Sequence, residues 1–209
     1  MLDVNVNKKE NEISINIKNA NYLWFLHYID GYYRCTVELI DKLNGKENKT
    51  LIYPILFSFS QYLELWLKLL VLTVNDSSNV RTLKLDIHTI KYIIKNMVEK
   101  HGELLKSYDV DIDSLYQIES KHQYFNDFVI NGNNLSMSSR FPLDNKTDNI
   151  IINFDKIDEI EKDNYVTFKN NVLDILSIAN EITKKFFVKW FSNCLDNVDL
   201  NSLIQSNNK

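Results

Sequence analysis

The sequence predicts an all-α fold: a helical bundle of about five helices, with a small irregular or β-hairpin insertion near 135–155. Three observations carry this. Only 4 Gly and 2 Pro occur in 209 residues, too few turn formers for a strand-rich domain. Apolar residues recur at helical spacing in long segments. The most apolar segment, residues 51–74, is far longer than a strand.

Residues 22–43, "YLWFLHYIDGYYRCTVELIDKL", form the first predicted helix. At about 100° per residue, His27, Asp30, Arg34, Glu38 and Asp41 share one face, with Trp24, Phe25, Tyr28, Tyr32, Leu39 and Leu43 opposite. "NGKENKT" is a polar loop. The second helix starts near Pro54, which suits a first turn because proline lacks the N–H that is unpaired there anyway. Its single polar stripe is Ser60, Gln61, Glu64 and Lys68. A helix apolar on most sides is a central one. "NDSSN" at 75–79 should break the chain. A third helix is expected from about His88 to Tyr108, with Ile90, Ile93, Ile94, Met97, Leu104 and Leu105 inward. His88, Lys91, Lys95 and Lys106 lie on its other side. A fourth is expected near 112–129, capped by Asp111 or Asp113. Residues 131–149 are rich in turn formers. "NIIINF" and the N-terminal "NEISINI" are the weak strand candidates. The last helix runs from about Asp163 to Leu195, with Val172, Leu176, Ala179, Phe186, Phe187 and Trp190 on a core. Together these describe one domain: an extension over 1–20, a bundle over 21–195 and a tail over 196–209.

Composition narrows the function. With 24 basic and 28 acidic residues, the net charge is −4. Any phosphate-binding surface must therefore be local. Cys35 and Cys194 sit in apolar helical patterns without metal spacing, as expected of reduced core thiols in a cytoplasmic protein. No secretory leader pattern opens the chain. Residues 51–74 could span a bilayer by length. Gln61, Glu64 and Lys68 in their middle favour a buried soluble helix over a membrane span.

No metal, nucleotide or serine-nucleophile motif is present. The four histidines make no HxxxH or HExxH pattern, and no Gly-rich phosphate loop follows a strand. No cofactor is expected. Three polar groups remain. Glu64 and Lys68 are i,i+4 neighbours in the favourable order, beside Gln61. They form either an intrahelical ion pair on a partly wet face or a pair turned toward a cleft or partner. Arg81 and His88 have six residues between them. Near a helix N-terminus the macrodipole favours the neutral imidazole, which can act as a general base. The bland alternative is a loop arginine and a histidine at a helix start. Arg140 in "SSRFPLD" is either exposed or holds an anion bidentately.

"YPILFSFSQYLELWLKLL", "HTIKYI" and "SSRFPLD", followed by a long C-terminal helix, resemble the HEPN-like helical proteins of prokaryotes. The resemblance covers about residues 50–195. Those proteins read roughly YP-I-L-F-x-R-H-Y-L-E-L-x-L-K, then H-x-L-x-x-L, then F-R-Y-P. By position, Glu64 and Lys68 match the E-L-x-L-K element, His88 the second and Arg140 the third. Ser60-Gln61 stands where many relatives read Arg-His.

The resemblance implies a bundle that usually dimerises, in antiphage, abortive-infection or toxin–antitoxin settings. It implies metal-independent ribonuclease activity through an Arg-x(4–6)-His motif, which Arg81 and His88 fit. Catalysis would rest on His88, Arg81 and Arg140, and binding on Glu64, Lys68, Gln61, Lys91 and Lys95. The expected partners are a second copy, an RNA substrate, and an antitoxin or other defence protein. The alternative is a catalytically inactive module that binds a protein or small ligand through Gln61, Glu64 and Lys68. Ser60-Gln61 and the acidic charge favour that alternative.

Overall fold

The computed structural model describes residues 4–7, 12–15, 17–44, 48, 50–78, 89–129, 153–158 and 162–196. Six α-helices make up almost all of this. They are α1 (Ile17–Lys42), α2 (Ile52–Ser78), α3 (Ile90–Ser107), α4 (Ile112–His122), α5 (Phe154–Asp158) and α6 (Lys162–Asp196). A 3₁₀ segment, Gln123–Phe128, continues α4. The architecture is an all-α bundle, as the sequence predicts. Ahead of α1, β1 (Val4–Asn7) and β2 (Glu12–Ile15) pair antiparallel, with Val4 opposite Ile15. The strand expected in "NEISINI" is thus β2. The helix that follows starts at Ile17, inside the stretch expected to be an extension.

The apolar surface of α2 makes it the centre. Ile52, Ile55, Leu56, Phe59, Leu63, Trp66, Leu67, Leu70 and Val74 are essentially inaccessible. Helix Ile52–Val74 is long and apolar enough to cross a membrane, yet most of it is buried inside the protein. It continues through the predicted break to Ser78, because its core contacts extend to Val74 and nothing in "NDSS" forbids helix.

Helix α1 packs along α2. Tyr33 meets Tyr62 at 5.7 Å between ring centroids and Tyr32 meets Phe57 edge-on at 6.0 Å. Thr36 is buried in the seam, its hydroxyl donating to the Tyr32 carbonyl at 2.7 Å and lying 3.0 Å from the Ser58 hydroxyl. The buried line is Ile29, Thr36, Ile40 and Leu43. Two expectations are corrected here. Tyr28, assigned to the core face, is 62% exposed, and Cys35 is exposed rather than a core thiol. The wheel placed the boundary one residue off. Aromatics on both sides of α1 blur it, and a buried threonine, not an aromatic, marks the centre of contact.

Thr89 occupies the N-cap position of α3 in extended conformation without a side-chain capping bond, and Ile90, Ile93, Ile94, Met97 and Leu105 are buried as expected, with Leu104 half-buried. The helix is interrupted at His101, which has φ −134° and ψ 18°. Asp111, one of the two expected caps, opens α4 by accepting from the Asp113 N–H at 3.1 Å and the Ser114 hydroxyl at 2.8 Å. The α3–α4 turn needs Asp109 in the left-handed region at φ 60°, and Lys189 of α6 pairs with its carboxylate at 2.8 Å. An aspartate tolerates that backbone better than most residues.

A second aromatic centre forms where α2, the 3₁₀ segment and α6 meet. Phe59, Phe125, Phe128 and Phe168 lie with neighbouring centroids 5.0–6.2 Å apart. Val172, Ile175, Leu176, Ala179, Ile182 and Phe186 carry the α6 face inward. Residues 130–152, where the irregular or β-hairpin insertion is expected, lie outside the described residues. The end of the "NIIINF" strand candidate is corrected: Phe154 opens α5, which Asn153 caps by accepting from the Lys156 N–H at 3.1 Å.

Candidate functional site

The polar stripe of α2 is the one place in the described residues where charge enters the core. Ser60, Gln61 and Glu64 are buried, with Glu64 at 1% exposure. The Lys68 ammonium donates to Glu64 Oε1 at 2.7 Å, and its side chain keeps 15% exposure against 2% for the carboxylate. The partly wet face expected from the sequence is therefore dry, and only the lysine end reaches solvent.

Helix geometry explains the contact. Residues four apart stack on one face, and glutamate N-terminal to lysine is the favourable order. Burial changes its meaning. An exposed pair of this kind is worth a few tenths of a kcal/mol, about 0.3–0.5. Inside a protein, desolvating both ions offsets most of the attraction, and an apolar pair of equal volume is often as stable. The most apolar helix of the chain thus keeps a carboxylate and an ammonium where packing alone would select leucine and methionine.

The other binding candidates lie on α3. Lys91 and Lys95 are exposed, on the side away from the core, as expected. Each faces a carboxylate: Lys91 meets Glu119 of α4 at 3.8 Å, and Lys95 meets Glu99 at 3.8 Å. Their cationic field is partly neutralised. Arg81, His88 and Arg140, the three catalytic candidates, lie outside the described residues. His88 directly precedes the α3 cap, Thr89, in the chain.

Two histidines were not singled out from the sequence. His122 ends α4 beside the ring of Phe125, with centroids 6.0 Å apart, and burial pushes its pKa down to about 4. His101 occupies the α3 interruption, buried, its pKa lowered by burial and then by Lys100. Both were legible. His122 is seven residues after Leu115 and four after Ile118, and His101 continues the Ile90, Ile94, Met97 series; both series face the core. The interruption opens a groove of about 420 Å³ lined by Val98 to Leu104. Among the described residues its walls belong to one helix, with no group from a second element. Tyr62 is likewise buried beside Tyr33, and burial pushes its hydroxyl above the ordinary range.

Among the described residues, no group of three or more His, Cys, Asp or Glu is placed to hold a metal ion. The chain matches no family model, no curated protein and no solved structure.

Proposed function

We propose that the chain is a HEPN-like protein of a prokaryotic antiphage or toxin–antitoxin system, acting in the cytoplasm as a metal-independent endoribonuclease. The observation that carries this reading is the buried Glu64–Lys68 pair on the central helix of an all-α bundle. That pair occupies the E-L-x-L-K element on which the resemblance rests. A desolvated pair at that element is what a retained functional position requires, because packing alone does not select it.

The chemistry follows from the residue types. RNA cleavage without a metal needs a base for the 2′-hydroxyl proton, an acid for the departing 5′-oxygen, and a cation for charge on the phosphorus-bound oxygens. His88 would supply the base or the acid. Arg81 or Arg140 would stabilise the phosphorane charge, and a second copy would complete a composite site. Lys91 and Lys95, exposed on the helix that follows His88, would meet phosphates.

The test compares wild type with His88→Ala in EDTA on a structured RNA pool. Cleavage by the wild type, reduced at least about a hundredfold by the substitution, supports the reading. Equal cleavage by both proteins removes His88 from catalysis. A purified wild type with no cleavage overturns the ribonuclease assignment.

A second reading has its own support. Lys91 and Lys95 each have a carboxylate within 3.8 Å, which weakens a phosphate-binding face. Ser60 and Gln61 replace two basic residues of the resembled motif. On this reading the chain is an inactive module whose Gln61–Glu64–Lys68 stripe recognises a protein or small ligand. Binding of an antitoxin or other defence protein, lost in Lys68→Met under conditions where that variant is still folded and kept in His88→Ala, would establish it.

A further inference from the structure

Gly31 stands in the middle of α1, exposed, and a Cβ added there would meet nothing within 4 Å. Its backbone is helical, so no turn or left-handed conformation calls for glycine. Glycine at such a position weakens a helix relative to alanine. Among the described residues nothing packs against this position.

The residues around it are arranged by kind. On the helical wheel Asp30 and Arg34 fall to one side of Gly31, and Tyr28 and Cys35 to the other. All four are exposed. Asp30 Oδ2 and Arg34 Nε pair at 2.8 Å with their side chains 53% and 74% exposed. That bond uses one guanidinium nitrogen, and the fork presents its terminal nitrogens for a second carboxylate.

We infer that α1 packs antiparallel against α1 of a second copy, crossing at Gly31, with Asp30 of each copy facing Arg34 of the other. The inference rests on the reading that two copies associate. A two-fold axis level with residue 32 brings position 30 level with position 34 and position 28 within about 1.5 Å of position 35 along the axis. Such an axis keeps like flanks together, so the charged flank meets itself and the Tyr28 ring lies over Cys35. The two glycines come about 3 Å apart along the axis, where the backbones approach most closely and a side chain would hold them apart. The occupant is a second copy because the charged flank is complementary to its own reversed image. In a parallel pairing the two-fold axis runs along the helices and sets each charged flank against the Tyr28 and Cys35 flank of the other copy, where its charges meet no opposite charge.

The test uses the full chain in sedimentation velocity over a concentration series. Wild type is expected to dimerise. Gly31→Leu, Asp30→Arg and Arg34→Asp should each weaken association roughly tenfold or more. The double substitution Asp30→Arg with Arg34→Asp should restore it, because the exchanged charges again meet their opposites. Gly31→Leu should keep or raise the thermal midpoint of the monomer, which separates lost association from lost folding. A wild type monomeric at every concentration overturns the association reading and this face together. A dimer unmoved by Gly31→Leu and Arg34→Asp, or a double variant that stays monomeric, overturns this face alone.

Discussion

Trp66 of α2 donates its indole N–H to the Thr183 hydroxyl of α6 across 2.8 Å, and that hydroxyl donates in turn to the Ala179 carbonyl at 2.7 Å. The two residues stand 117 positions apart. The bond ties the longest of the described helices to the central one, and Trp66 is 1% exposed, so losing the acceptor leaves a mostly buried donor unmatched. Thr183→Val keeps the shape and removes the acceptor. It should cost about 1–3 kcal/mol, read as a lower urea midpoint at unchanged slope. Thr183→Ser should recover most of the loss. Equal stability of the valine and serine variants would mean that shape, not the hydrogen bond, holds the contact.

The Glu64–Lys68 pair should behave as a coupled buried pair. Lys68→Met takes the ammonium from a carboxylate that is 2% exposed. The expected destabilisation is about 3 kcal/mol or more. Combining it with Glu64→Leu should cost less than the single change, because the buried carboxylate that has lost its lysine goes too. A double variant near wild-type stability that loses RNA cleavage would separate a functional role for the pair from a structural one. Additive losses would show that the two residues are independent.

Stability should fall in mild acid. The His122 imidazole titrates near 4 in the folded protein, because burial disfavours its charged form, and near 6.5 when unfolded. The unfolded chain therefore binds the proton first as pH drops. The His122 contribution is fully present above 6.5, declines between 6.5 and about 4, and is flat below. At about 1.36 kcal/mol per pH unit the loss is bounded at about 3 kcal/mol, less whatever the half-buried ring keeps of its hydration. His101, lowered by burial and by Lys100, acts in the same direction. Thermal midpoints at pH 7.5 and 4.5 should differ more for wild type than for His122→Leu. An equal pH response in both would remove His122 as a cause.

Asp111 caps α4 through two bonds, one to a backbone N–H and one to a hydroxyl. Asp111→Ala should cost about 1 kcal/mol, and Asp111→Asn much less. Hydrogen exchange should report the change as faster opening of the first turn of α4. Unchanged exchange there would show that neighbouring contacts, not the cap, fix the turn.

The helices were legible because few glycines, few prolines and long 3.6-residue periodicity act along the chain, one segment at a time. A cap at Asp111 or Asp113, the inward faces of α3 and α6 and the central place of α2 follow from that local pattern. So does the i,i+4 contact of Glu64 with Lys68. What the sequence left undecided depends on what packs against each face. The stripe on α2 reads as partly wet, and only neighbouring elements make Glu64 dry. Tyr28 and Cys35 look like core residues until the Thr36–Ser58 contact turns α1 by part of a turn. The Trp66–Thr183 bond has no local signature at all, since the two residues stand 117 positions apart. Periodicity states which residues share a side of a helix. Only tertiary packing decides which side meets protein, because that choice is a balance of burial summed over several helices at once.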